Sequence, residues 1–217
     1  MSSATVHIVR TGTANIASVM AGLRRAGARP VLTDDAGVVE SSARLVLPGV
    51  GAMGATMGAV QSAGLVAALR KRIEQDRPTL AVCMGHQLLG VSSDESPGVP
   101  GLGVHDGVGV RFSEASGLRV PQLGWNSVTK PEDGARFLTE SGYAYFANSY
   151  CFRSVPSDWM GATAVYDGSF VAAIERGNVL TCQFHPELSG AFGARLMRRW
   201  LVNAGVEIAQ DAAGVMS

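Results

Sequence analysis

The feature that most constrains this chain is residues 79–90: Thr79-Leu80-Ala81-Val82-Cys83-Met84-Gly85-His86-Gln87-Leu88-Leu89-Gly90. Apolar, β-compatible residues run straight into a cysteine, a small-residue turn follows, and a short apolar stretch then suits a helix. A strand that breaks this sharply into a helix holds up the residue at the break, as a nucleophile elbow does. Ala81 and Gly85 are small enough to let strand and helix approach closely. At a helix N-terminus, unpaired N–H groups and the helix dipole stabilise a thiolate. Free cysteine is also among the most buried residue types, so this stretch alone does not separate a nucleophile from a core thiol. The rest of the chain decides.

Around that stretch the first half alternates strand and helix patterns. Val6-His7-Ile8-Val9 reads as a strand and Thr11-Gly12-Thr13 as a turn. Ile16, Val19, Met20 and Leu23 then follow helical spacing, with Gly27 placed to cap. Val31-Leu32 and Arg44-Leu45-Val46-Leu47 read as strands, and Leu65, Leu69 and Ile73 mark another amphipathic helix with Arg70, Lys71 and Arg72 on its solvated side. Such alternation implies an α/β fold with a parallel, doubly wound sheet whose central strand ends at Cys83. After Ser92 the pattern changes. A Gly-, Pro- and Ser-rich stretch precedes short strands expected near 108–112, 125–129, 143–147, 162–166, 170–174 and 179–184, with Asp167-Gly168 as a hairpin turn. A last helix presents Phe192, Leu196, Met197, Trp200 and Leu201 on one face, with Ser189 as its cap and Arg195, Arg198 and Arg199 on or near the other side. No linker divides the chain, so residues 1–217 read as one domain.

Composition narrows the function classes. Lys+Arg and Asp+Glu both number 18, which gives no electrostatic reason for a nucleic-acid or anionic-membrane partner. The charge-free stretch 45–69 carries five glycines and Pro48, so it reads as a strand, a glycine loop and a helix and not as a membrane span. The N-terminal residues lack a basic region and a long apolar run, so no signal peptide is expected and the location is expected to be cytoplasmic. Three widely spaced cysteines make neither a disulfide framework nor a zinc site.

A second constellation lies in Gln183-Phe184-His185-Pro186-Glu187. Residues two apart in an extended segment share a face, so His185 and Glu187 can project together. A carboxylate beside an imidazole fixes its tautomer and stabilises the imidazolium, which in turn activates a thiol. His86 is the rival base, three residues from Cys83 but without an evident carboxylate to orient it. His7 and His105 read as surface or core residues, Cys182 as a core residue of a strand and Cys151 as structural. In Pro48-Gly49-Val50-Gly51 the glycines permit positive φ and close backbone approach. With the Met84 N–H the loop could form an oxyanion hole; it reads equally as a simple turn.

Together Cys83-Met84-Gly85-His86-Gln87-Leu88-Leu89, Leu47-Pro48-Gly49-Val50-Gly51 and Phe184-His185-Pro186-Glu187 resemble the class I (triad) glutamine amidotransferases. The run from Thr11 to Val19, Gly124-Trp125-Asn126, the segment around Ser149-Tyr150 and the Ser189-Gly190 pair narrow the likeness. In this order they are similar to the glutaminase subunits of imidazole glycerol phosphate synthase. The resemblance implies the class I fold, with a mainly parallel central sheet flanked by helices and a smaller set of antiparallel strands. It implies Cys83 as nucleophile, His185 as base and acid, and Glu187 as the orienting carboxylate. Gly49, Val50, Gly51 and Met84 would serve the oxyanion and, with Gln87, Ser149 and Tyr150, the substrate L-glutamine. Ammonia would pass to a separate cyclase subunit in a heterodimer, with no cofactor and no metal. Other readings are an amidotransferase subunit of another pathway, a silent binding module on the same fold, and a cysteine peptidase. The chain departs from the usual pattern at Arg10, where relatives have Asp, and at Gln122 and Asn148, where they often have His. These positions lie toward the face that would meet the cyclase.

Overall fold

The computed structural model describes residues 4–12, 14–114, 117–132 and 134–206. Thr13, in the turn expected after the first strand, and Met1, Ser2 and Ser3, read for a leader, lie outside the described residues. Strands β1 (Thr5–Val9), β2 (Arg29–Thr33), β3 (Leu45–Gly49) and β4 (Thr79–Cys83) alternate with helices α1 (Ile16–Arg25), α2 (Ala36–Ser41), α3 (Met53–Ser62) and α4 (Val66–Glu74). Helix α5 (Met84–Leu88) follows β4 without a gap. Short strands β5 (Ser92–Ser93), β6 (Val108–Arg111), β7 (Gln122–Val128), β8 (Gly142–Asn148) and β9 (Tyr150–Cys151) come next. Strands β10 (Met160–Tyr166), β11 (Gly168–Arg176) and β12 (Val179–Cys182), a 3-10 turn at Pro186–Leu188 and helix α6 (Gly190–Asn203) complete the order.

The main sheet runs β10-β11-β12-β4-β3-β1-β2. Pairings from β12 through β2 are parallel, and β10 and β11 add an antiparallel edge. Residues of β3 and β4 are buried at every position, as expected of parallel strands covered on both faces. The register pairs Gly49 with Cys83 and Cys182 with Val82. Three strand ends therefore meet at one edge, and the turns that leave them converge there, where α/β sheets place ligands. Two smaller sheets, β5-β6-β9 and antiparallel β7-β8, stand beside that edge.

Most expected elements are present, with instructive differences. Ala26 ends α1, Gly27 takes φ 97°, and the Ala28 N–H reaches back to the Leu23 carbonyl, a glycine-capped helix end. Helix α2 was not expected: it is short, buries only Val39, and is started by the Asp35 carboxylate accepting from the Val38 N–H at 2.8 Å. The strand expected over 179–184 ends at Cys182, although the Gln183 N–H still bonds the Ala172 carbonyl. On α6 the expected apolar face is buried, each such side chain contributing about 1.5–3 kcal/mol.

Arg72 corrects the reading of α4, because it is fully buried and not solvated. Its guanidinium donates to Thr79 Oγ1 at 3.0 Å and to the carbonyls of Val39 at 3.0 Å, Ser42 at 2.7 Å and Pro78 at 2.7 Å. A buried cation persists only when its N–H groups are paired in this way. Burial first, then the nearby Arg77, lowers its pKa to about 10. The arginine thereby ties α4 and the loop after α2 to the start of the strand that carries Cys83.

Candidate active site

Cys83 sits at φ 55°, ψ −109°, a left-handed conformation rare for a residue with a side chain. Such strain persists only where surrounding structure enforces it. Gly85 shows the enforcement: a Cβ there would lie 2.0 Å from the Leu47 carbonyl oxygen. A Cβ on Gly49 would lie 2.8 Å from Met84 Cβ. The elbow is thus clamped between β3 and β4, and no larger residue fits at either glycine. The first-turn N–H groups of α5, beginning with Met84, have no partner within the helix.

His185 reaches Cys83 from the far side of β4. Its Nδ1 lies 2.8 Å from Glu187 Oε1, and its ring and the Cys83 side chain line the same cavity. Burial by itself lowers the His185 pKa, but the hydrogen bonds and charges of Cys83 and Glu187 outweigh it and raise the value above the ordinary histidine range. The arrangement favours an imidazolium at His185, paired with Glu187. Histidine and glutamate meet across the 3-10 turn at Pro186–Leu188 and not along an extended strand as expected. Helix α1 supports the turn: the Arg25 guanidinium donates to the Glu187 carbonyl at 3.1 Å, and Gly22 packs on Glu187 Cβ. Ser189 stands at the start of α6, yet its side chain makes no capping bond. Its hydroxyl instead donates to the His185 carbonyl at 2.6 Å and accepts from the Tyr145 N–H at 2.9 Å. The His185 N–H in turn donates to the Tyr145 carbonyl, so β8 fixes the histidine backbone.

His86 is turned away from this line. Its Nδ1 lies 2.6 Å from Thr181 Oγ1, and its ring packs on Phe152. Burial, and then the neighbouring His105, lowers its pKa to about 3. His105 stacks against Phe152 and Trp159, and its Nδ1 accepts from the Gly107 N–H. Cys151 and Cys182 are buried and free, and burial pushes the Cys151 thiol up to about 12.

A cavity of about 390 Å³ opens over Cys83 and is lined by Val50, Gly51, Met84, Gln87, Ser149, Tyr150 and His185 among others. Gly49 and Glu187 border the small space behind His185. Every expected site residue therefore lies in or beside one concave site. Three further residues went unread. Glu95 lines the cavity and accepts from the Met53 N–H at 2.6 Å; it stands in the loop-like stretch after Ser92, where no pattern marks it. Asn148, noted only as a departure, lines the cavity opposite its β7 register partner Gln122. Gln183 sits buried beside Cys83, and its place two residues before His185 on an extended segment was an available signal. Arg10 is exposed, 3.9 Å from Asp34.

Comparison with known proteins bears on this geometry. A family profile described as "Glutamine amidotransferase class-I" matches residues 15–204. The chain belongs to that family. Among its relatives, "Imidazole glycerol phosphate synthase hisHF, chloroplastic" of Arabidopsis thaliana is 40% identical over 206 residues, 92% of this chain and 34% of the plant protein. The chain thus spans about a third of that longer relative. "Imidazole glycerol phosphate synthase subunit HisH" of Rhodopirellula baltica is 37% identical, covering 94% of this chain and 100% of that one. A solved structure described as "Crystal structure of glutamine amidotransferase" superposes with a TM-score of 0.72 at 23% identity, covering 93% of this chain and 99% of its own. The sheet with its parallel core is therefore the class I amidotransferase fold. Within the family, the cysteine elbow and the His-Pro-Glu turn of this chain lie at one sheet edge, on β4 and just after β12.

Proposed function

We propose that this single-domain chain is the glutaminase subunit of imidazole glycerol phosphate synthase and hydrolyses glutamine to glutamate and ammonia. The observation that supports it most is that Cys83 and His185, the latter hydrogen-bonded to Glu187, line one cavity of small-molecule size. The Cys83 thiolate attacks the side-chain amide carbon of glutamine. The oxygen that becomes negative is met by the Met84 N–H and a peptide N–H of the Gly49-Val50-Gly51 turn. His185, held in orientation by Glu187, gives its proton to the amide nitrogen, and ammonia leaves as the γ-glutamyl thioester forms. His185 then takes a proton from water, whose oxygen attacks the thioester and releases glutamate and the thiolate. Gln87, Ser149 and Tyr150 border the space for the rest of the substrate, and Glu95 offers the charge that suits an α-ammonium group.

Ammonia passes to a separate cyclase subunit, which makes imidazole glycerol phosphate and aminoimidazole carboxamide ribotide for histidine biosynthesis. A surface for that partner lies beside the cavity. Leu123, Trp125 and Tyr143, exposed by 67%, 58% and 66%, share the outer face of β7-β8. This face reaches the rim, because Ala147, opposite Leu123, lines the cavity. Large exposed apolar residues grouped in this way suit a protein interface. Three unpaired thiols fit a reducing compartment, in keeping with the cytoplasm. Glutaminase turnover measured with and without the cyclase and its ribulosyl substrate tests the reading. We expect slow hydrolysis alone and strong stimulation by the occupied partner; full turnover of the isolated chain, unchanged by the partner, would refute it.

A further inference from the structure

We infer that Gln183 is a positioning residue for the reaction: its side-chain amide presents an N–H to the Cys83 sulfur and, with its oxygen, fixes the orientation of Gln87. The inference rests on the reading of Cys83 as the reacting thiol.

The orientation follows from one backbone group. The Tyr150 carbonyl can only accept, and it receives a hydrogen bond from Gln87 Nε2 at 3.0 Å. The nitrogen end of the Gln87 amide therefore faces β9. The same Nε2 donates its other proton to Gln183 Oε1 at 2.9 Å, which sets the oxygen of Gln183 toward Gln87. The nitrogen of Gln183 must then face the opposite way, and it lies 4.0 Å from Cys83 Sγ. Reversing any one amide would set oxygen against oxygen or nitrogen against nitrogen, in a site where both glutamines are buried. One carbonyl thus dictates two side-chain orientations and ends in a donor aimed at sulfur.

Two consequences differ in kind. The sulfur shares the cavity with His185 and has an uncharged N–H donor beside it. A contact of 4.0 Å is long for a neutral thiol, and such contacts shorten when the acceptor carries charge in the reacting complex. The second consequence concerns Gln87. Both of its protons are used, and its Oε1 is buried with no hydrogen-bond partner among the described residues, at a residue that lines the cavity. Gln183 thus holds the Gln87 amide in one orientation at the wall of the cavity.

Two substitutions separate these roles. Gln183→Glu keeps an oxygen for Gln87 but removes the N–H from the sulfur. Gln183→Met, similar in length, removes both. Each protein, folded by circular dichroism, is assayed with the cyclase for kcat and KM toward glutamine. Each is also treated with iodoacetamide, and the alkylation of Cys83, Cys151 and Cys182 is followed by mass spectrometry. We expect Gln183→Glu to lower kcat and the Cys83 alkylation rate at pH 7 by roughly ten- to a hundredfold, the range of a hydrogen bond to a charged group, with KM little changed. Gln183→Met should lower both by a similar factor and raise KM as well. Native kcat, KM and Cys83 alkylation in both folded variants would overturn this inference. If Cys83 of the unsubstituted protein reacts no faster than Cys151 and Cys182, the underlying assignment of the nucleophile falls instead.

Discussion

Replacing Gly51 with valine tests whether the turn after β3 supplies a donor to the oxyanion. Gly51 has φ 87°, and a Cβ built there meets no atom of the described residues within 4 Å. Space is therefore not what a side chain would lack; the backbone angle is. Holding a left-handed angle costs an ordinary L-residue about 1–2 kcal/mol, and a β-branched residue is a true outlier there. The turn relieves that cost by rotating toward negative φ, which swings the peptide joining Val50 to residue 51. Loss of one oxyanion donor lowers turnover by about 100- to 1,000-fold, or roughly 3–4 kcal/mol at the transition state. The effect on turnover should therefore exceed the effect on stability. The assay is glutaminase kcat in the presence of the cyclase and its substrate, with ammonia-dependent synthesis and the unfolding midpoint followed in parallel. Gly51→Asn should retain much more activity, because asparagine adopts positive φ readily. Gly49→Ala should fail differently: its Cβ would sit 2.8 Å from Met84 Cβ and 3.1 Å from the Gly85 nitrogen, so elbow and stability would suffer together. A folded Gly51→Val protein with full partner-stimulated glutaminase activity would show that the turn is only a turn.

Cys83→Ala should abolish glutamine-dependent synthesis by the complex and leave ammonia-dependent synthesis intact, measured as product formed from either nitrogen source; loss of both in a folded, assembled complex would break the assigned division of labour. Trp125→Ala should weaken binding of the cyclase by about 2 kcal/mol or more if this ring is an anchor, read by titration calorimetry, while the unfolding midpoint of the free chain stays nearly constant. Acid should destabilise the fold through His105, whose pKa is lowered to about 4, first by burial. A base with a depressed folded-state pKa contributes stability above its unfolded value near 6.5 and loses it as pH falls through the folded value. The loss approaches about 3 kcal/mol between these limits. Urea unfolding from pH 7 to pH 4 should show this decline, and His105→Phe should make it shallower, leaving the part that belongs to His86, whose pKa burial lowers to about 3.

How much of this was legible in the sequence depends on whether the cause is local. The elbow was legible because its cause is a strand end followed by Gly85, and the helical spacing in α1, α4 and α6 likewise lies within single segments. Helix α2 was not, since six residues with one buried side chain carry too little period, although its Asp35 cap was in view. Arg72 follows Arg70 and Lys71 and shares their chemistry. What buries it is a set of carbonyls at positions 39, 42 and 78, brought together only by the fold. Ser189 stands where a cap belongs, yet the Tyr145 N–H and the His185 carbonyl compete for its hydroxyl and win. Ser149 and Tyr150 entered the site through family resemblance alone. One contact of Tyr150, its backbone carbonyl offered to Gln87, involves no side chain at all.

The register of the central strands ties these observations together. Strands β3, β4 and β12 are buried at every position, so alternation of apolar and polar residues cannot align them. A slip of one residue would still turn every side chain to the opposite face, carrying Gln183 and His185 away from Cys83. Something other than patterning must fix the alignment, and the structure supplies it at the site itself. Gly85 against the Leu47 carbonyl locks the end of β4 to β3. The bond from Gln87 to Gln183, and that from His86 to Thr181, lock the helix after β4 to β12 and the residue that follows it. His86, discarded as a base, thus acts with Gln183 in aligning the strands that bring nucleophile and histidine together. Positioning of the chemistry and alignment of the sheet are the same set of contacts.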